Sequence, residues 1–236
     1  MKKSEVVKFL ILRTLGNFFL LFSIAGFIFT FGDVIKQEAV YRVNTLRGVQ
    51  FIVPETIVQT RDVPASQFGR PTQFAPLLAQ ERQMKTLTAK DIDFSILIPK
   101  IGATAKVVPN VNPGNEQEYL RALQVGVAHA AGTVFPGMNG NIYLFAHSAD
   151  SIINIGRYNA IFYLLKELEA GDEIVVVFNG QRHNYTVFDK RIVGGSEVDY
   201  LRSKMGEGET LTLQTCWPPG TPWKRLLVFA RPSVQR

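Results

Sequence analysis

A single cysteine, Cys216, lies in the run TLTLQTCWPPG (residues 210–220), and Arg225 follows nine positions later. A thiol reacts as its thiolate, and the unperturbed pKa of about 8.5 means a nucleophilic cysteine needs a base or a cation beside it. Three histidines are available: His129, His147 and His183. A thiol, an imidazole and a guanidinium together suit acyl transfer. Sulfur attacks a carbonyl, the imidazole moves a proton, and cationic and N–H donors hold the charge that develops on oxygen. The competing reading is a buried filler cysteine, a common fate of this residue type.

The surrounding pattern opposes the filler reading. Residues Thr210 to Thr215 alternate polar and apolar, which predicts a strand with one wet and one dry face. Pro218 and Pro219 stop that strand just beyond Cys216. A second strand, KRLLVFA (224–230), then returns Arg225 towards the thiol. His147 closes the apolar run NIYLFAH (141–147) and so also stands at a strand terminus. His183, just past the hairpin glycine Gly180, reads as a solvated turn position. His129, within VGVAHAAGT, suits a pocket wall and a buried, hydrogen-bonded core position equally.

These strands belong to a region beginning near residue 91. The runs DFSILIPKIG, NIYLFAHS, DEIVVVFNG, HNYTVFDKRIV, ETLTLQTCW and KRLLVFARP are short, rich in β-branched and aromatic residues, and bounded by turn formers. Asn179-Gly180 predicts a two-residue hairpin turn. Only NEQEYLRAL and GRYNAIFYLLKELEAGD carry helical periodicity, the latter ending at Gly171 in the manner of a C-cap. Many strands and one or two short helices predict a mainly β barrel or sandwich.

Upstream the chain changes character twice. Residues 9–31 are almost wholly apolar, long enough as a helix to cross roughly 30 Å of hydrocarbon. Lys2, Lys3, Lys8 and Arg13 against Glu5 give this end +3 of the net charge of +6. Residues 1–8 therefore read as a cytoplasmic basic tail, 9–31 as a transmembrane anchor in contact with lipid, and everything beyond as extracytoplasmic. A long apolar run without a small-x-small site reads as a retained anchor more than as a cleaved signal. Residues 32–90, with Pro54, Pro64, Pro71 and Pro76 among polar residues, read as a linker or stalk, preceded by a short helix over 34–47. The other +3 is spread without a basic run, which argues against nucleic acid as a partner. One cysteine excludes an intramolecular disulfide and a cysteine-rich zinc site.

Four ordered motifs, IPKIG (98–102), GVAHAAGTVFPGMNGNIYLFAHS (126–148), LEAGDEIVV (168–176) and TLQTC with Arg225 beyond it, resemble the sortases, membrane-anchored cysteine transpeptidases. The resemblance spans residues 91–232. It implies a closed eight-stranded β-barrel over 91–236, with Cys216 as nucleophile, His147 as general acid and base, and Arg225 binding substrate and oxyanion. It further implies that Thr215 shapes the oxyanion pocket, while His129 stays a candidate for the pocket by its position alone. Ala146 stands where many members carry glycine before the histidine. The implied reaction cuts a C-terminal LPxTG-like sorting signal of a surface protein between Thr and Gly through a thioester. The acyl group then passes to an amine of a cell-wall (peptidoglycan) precursor or a pilin lysine. No cofactor or metal is implied. Calcium activation, known in some relatives, would draw on Glu116, Glu118, Asp172 and Glu173, which read more simply as solvated charges. With no second apolar segment after residue 232 and only a short segment between DKRIV and TLTLQTC, the expected type is a single-anchor enzyme, neither pilin-polymerising nor haem-related. The rival readings are a membrane-tethered cysteine peptidase and a catalytically silent surface β-domain.

Overall fold

The computed structural model describes residues 3–55, 84–148, 161–195 and 208–233. Most of the expected linker, the first part of the second predicted helix and the segment before TLTLQTC lie outside them. The chain divides into two compact units, Met1–Arg42 and Val43–Arg236.

The first unit is helical. Helix α1 runs without interruption over Lys3–Leu46, so the expected anchor and the short helix after it are one element. No proline falls in that span, and helix glycines weaken a helix without breaking it. Its stretch Ser4–Ile28 is, among the described residues, the one helix long and apolar enough to cross a membrane. Phe18, Leu20, Leu21 and Phe22 all lie exposed on it. Beyond Leu46 the chain turns at Gly48, whose φ of 67° is left-handed. The Gly48 N–H bonds Thr45 C=O and the Val49 N–H bonds Asn44 C=O, which satisfies two terminal carbonyls.

The second unit begins with strand β1 (Gln50–Ile52), which pairs in parallel with β2 (Met84–Thr86). This pair and the residues flanking it are docked on the rest of the unit. Phe51, Val53 and Ala89 pack on a buried cluster of Leu87, Leu97, Val175 and Val177. Arg182 Nη1 donates to the carbonyls of Val53 and Pro54, at 3.0 and 2.6 Å. Gly102, at φ 62°, leaves room for the Phe51 ring; a Cβ there would stand 2.7 Å from it.

Eight further strands close into a barrel: β3 (Phe94–Ile98), β4 (Ala103–Val111), β5 (Val127–Ala130), β6 (Gly140–Phe145), β7 (Glu173–Phe178), β8 (Gln181–Gly194), β9 (Glu209–Trp217) and β10 (Lys224–Pro232). Their order around the barrel is β10, β8, β7, β3, β4, β5, β6, β9, with β9 closing on β10. The β4–β5 and β6–β9 pairs are parallel and the rest antiparallel, so the sheet is mixed. Closure leaves no edge strand to blunt. Asn179 and Gly180, at φ 49° and 74°, make the predicted two-residue turn between β7 and β8.

Helix α2 (Glu116–Val125) bridges β4 and β5, as NEQEYLRAL predicts. Its N-cap Asn115 accepts from the Glu118 N–H at 3.2 Å. The other expected helix differs: its described part is a 3₁₀ turn over Tyr163–Glu167. Phe162, Leu165 and Leu168, all fully buried, recur every three residues, the 3₁₀ period. Gly171 adopts φ 100° and donates its N–H to Val187 C=O, turning the chain into β7.

Candidate active site

Strand β9 lies between β6 and β10, and each neighbour brings one of the expected groups to Cys216. Arg225 stands directly opposite Cys216 in the antiparallel β9–β10 ladder, where facing Cβ atoms are about 4.5–5.5 Å apart. On the other side Phe145 pairs with Gln214. The ladder continues past the end of β6, because the Ala146 N–H bonds Gln214 C=O at 3.1 Å. The Thr215 hydroxyl then donates to Ala146 C=O at 3.0 Å. His147 is thereby carried to the level of Cys216.

Strand alternation decides what shares the face. Tyr143, Phe145 and His147 fall on one side of β6, and their partners put Gln214, Cys216 and Arg225 on the same side. Ile142, Leu144, Leu211, Leu213 and Val228 fall on the other side and are fully buried in the barrel core. The expected wet face of β9 is wet only at its end. Thr210 and Thr212 are buried, Thr212 donating to Asn141 Oδ1 at 2.7 Å, whereas Gln214 and Cys216 are half-buried. The Tyr143 hydroxyl donates to Gln214 Oε1 at 2.6 Å, bracing β6 against β9 below the thiol.

Alternation also relocates two expected residues. His129 pairs with Leu144, so it points into the core and is fully buried, away from Cys216. The Asn110 N–H donates to its Nδ1, and its Nε2 lies 3.1 Å from Val134 C=O and 3.0 Å from Thr133 Oγ1. Thr133 donates its own proton to Ala130 C=O, so the imidazole is neutral with its proton on Nε2. Of its two sequence readings, the hydrogen-bonded core position is the one occupied. Thr215 is likewise buried on the core side, with its hydroxyl committed to Ala146. His183 is not a solvated turn residue. It lies on β8 opposite Val176, half-buried, with Nε2 sealed and unpartnered among the described residues.

Burial sets the charge state of the pair. It pushes the Cys216 thiol above its ordinary pKa, against a smaller downward pull from Arg225. It pushes His147 down. The two rest as neutral thiol and neutral imidazole near neutral pH. Arg225 is half-buried, and its Nη1 donates to the carbonyls of Pro222 and Lys224 at 2.9 and 3.1 Å, which fixes the guanidinium at the β9–β10 loop.

Two residues near the site escape sequence reasoning. Ser148, almost fully buried, accepts the Gly220 N–H at 3.3 Å and so links the residue after His147 to the loop after Cys216. Tyr119 of α2 meets Phe145 edge-on, with centroids 6.5 Å apart. Adjacency of Ser148 to His147 is a signal for the first; no sequence signal marks the second.

The carboxylates considered for calcium are dispersed. Glu118 accepts from the Asn112 N–H, Asp172 pairs with Lys100, and Glu173 pairs with Arg182. Among the described residues no group of His, Cys, Asp and Glu could hold a metal ion.

Comparison with known proteins agrees with this fold. Sortase D of Bacillus subtilis (strain 168) is 26% identical over 137 residues, which cover 57% of this chain and 60% of that protein. The chain thus spans about 60% of the length of this curated relative. Sortase C-1 from Actinomyces oris superposes with a TM-score of 0.51 at 29% identity, covering 62% of this chain and 77% of that one. Sortase C-3 from Streptococcus pneumoniae gives a TM-score of 0.50 at 27% identity, covering 61% and 65%. The family model of the sortase domain matches residues 96–233, a span that includes every barrel strand but the first two residues of β3, and the chain belongs to the sortase family.

Proposed function

We propose that this chain is a cysteine transpeptidase that cuts an LPxTG-like sorting signal between Thr and Gly and passes the acyl group to an amine. The observation that carries this reading is the three-strand juxtaposition: His147 beyond β6, Cys216 on β9 and Arg225 on β10 converge on one face. In the reactive microstate the thiol has given its proton to the imidazole. The thiolate attacks the Thr carbonyl carbon, and Arg225 with backbone N–H groups holds the oxyanion. His147 then gives its proton to the departing Gly nitrogen, leaving a thioester. An incoming amine attacks that thioester, loses a proton to His147 and releases the thiolate. The amine belongs to a cell-wall precursor or a pilin lysine.

We place the anchor across a membrane through residues 9–31, with residues 1–8 cytoplasmic and the catalytic unit outside. The apolar α1 supports an anchor, and the basic residues at its start favour this orientation.

The test is to incubate the unit without its anchor with LPxTG-, LAxTG- and LPxTA-type peptides, each with and without candidate amines, and to weigh the products. Amine-linked peptides are expected. Peptide acids alone in the presence of amine would make the chain a hydrolase, and intact peptides throughout would make it a silent domain.

A further inference from the structure

The loop that joins Cys216 to Arg225 is braced by polar contacts that the proposed reaction does not use. After Trp217 the chain turns over residues 218–221. The Thr221 N–H and the Thr221 hydroxyl both donate to Pro218 C=O, at 3.0 and 2.9 Å, and Gly220 holds the third place of the turn at φ 79°. A type II turn needs a left-handed residue there, which glycine supplies without strain. Beyond the turn, the Pro222 carbonyl accepts from Arg225 Nη1 at 2.9 Å. Gly195, just past β8, packs so closely that a Cβ on it would stand 3.0 Å from that oxygen and from the Trp223 carbonyl oxygen. The far end of the loop thus carries the contact that orients the guanidinium. The near end is tied down by Ser148, which is 2% exposed and accepts the Gly220 N–H on its Oγ at 3.3 Å. This is its one hydrogen bond among the described residues. A hydroxyl taken out of water is costly unless bonded, so this contact compensates its burial.

We propose that Ser148 is a positioning residue for Arg225: by holding the Gly220 N–H it fixes the 218–222 loop, whose Pro222 carbonyl keeps the guanidinium facing Cys216. This rests on Cys216 and Arg225 acting together in the proposed transfer. Ser148 follows His147 directly, so the brace runs from the end of the histidine's segment, across the turn, to the arginine. Without its oxygen the turn loses this tie to the segment after β6. The Pro222 carbonyl then drifts, and the guanidinium spends less time opposite the sulfur.

The single cysteine gives a direct reading of where that cation stands. Iodoacetamide and iodoacetate alkylate the same thiolate, but only iodoacetate is charged. The ratio of their rates therefore reports the cation beside the sulfur and cancels any change in thiol acidity. The full-length chain is measured in a non-ionic detergent as wild type, Ser148→Ala, Ser148→Thr and Arg225→Gln, well below the melting temperature of each. Removing the guanidinium outright should lower the iodoacetate-to-iodoacetamide ratio about threefold, the factor for unit charges about 6 Å apart in water. Ser148→Ala should move the ratio most of the way to that value, while Ser148→Thr, which keeps the acceptor, stays with the wild type. Lys224, which pairs with Trp217 one step along, is present throughout and cancels. Acrylamide quenching gives a second reading, because the chain's two tryptophans, Trp217 and Trp223, bracket the loop. The Ala variant should be quenched more steeply. The proposal is overturned by an Ala or an Arg225→Gln ratio at or above the wild-type value, by a normally melting Thr variant that matches Ala, or by identical quenching slopes. No arm needs a peptide, so the outcome is separable from the transfer reading. An unchanged Ala ratio beside intact Thr–Gly transfer removes Ser148 alone; a lowered ratio in a chain that transfers nothing removes the reaction and leaves the positioning.

Discussion

In the proposed transfer, reactivity at Cys216 depends on a proton in the wrong place at rest. With the thiol raised and the imidazole lowered by burial, thiolate and imidazolium coexist only as a minor microstate. Its population is greatest between the two pKa values. We therefore expect a bell-shaped kcat/KM profile, with an acid limb below the ordinary histidine range and an alkaline limb above the ordinary thiol range. A profile rising monotonically from acid to alkali would contradict the assignment. Arg225→Lys keeps a charge but loses the planar fork that reaches loop carbonyls and substrate together. It should lose about a hundredfold or more in kcat/KM, comparable to removing an oxyanion donor, with an unchanged melting temperature; near-normal turnover would remove Arg225 from the site.

Register along β6 and β9 is what brings the histidine to the thiol, and two small features hold it. The Thr215 hydroxyl ties β9 to Ala146, immediately before His147. Thr215→Val keeps the shape and leaves the buried Ala146 carbonyl short of a donor, so it should cost about 1–2 kcal/mol in chemical denaturation and lower turnover through His147. Gly126, at the end of α2, lies so close to β4 that a Cβ would stand 2.2 Å from the Lys106 carbonyl oxygen. Gly126→Ala must push the helix or the strand aside. A loss of about 3 kcal/mol is expected in chemical denaturation. The strands, the Asn179-Gly180 turn and α2 were legible from the sequence, because their periods and turn residues are local. The 3₁₀ turn at Tyr163–Glu167 was not, since its apolar residues satisfy a helical pattern until the core fixes their spacing at three.

At the scale of the molecule, the barrel does not begin where its strand-rich sequence begins. Phe51, Val53, Leu87 and Ala89 pack with Leu97, Val175 and Val177, and Arg182 holds two carbonyls of the chain after β1. A protein starting at Val49 should therefore melt as the whole second unit does. One starting at Asp91 should lose several kcal/mol, on the order of 1.5–3 kcal/mol for each large apolar side chain removed from its contacts. Equal melting of the two would show the docking to be dispensable. Acid should weaken the fold through His129. Its pKa is lowered in the folded state, so the unfolded chain binds the proton first, and stability present at neutral pH falls as pH drops below about 6.5. His147 adds the same sign. His129→Gln should flatten this acid slope in a series of urea melts, at the expense of overall stability.

The sequence by itself determined the strand content and the apolar helix, and it offered the thiol, the imidazoles and the guanidinium from which the proposed transfer is built. Each of these is written in residue type and in periods of a few positions. Only the tertiary structure decided which histidine shares the face of Cys216. His129 and His147 both lie on or at the end of β strands, but strand alternation sends one into the core and the other to the reactive face. The parallel pairing of β6 with β9 is a contact between segments some seventy residues apart. No local period encodes such a pairing; closure of the barrel around a common core imposes it.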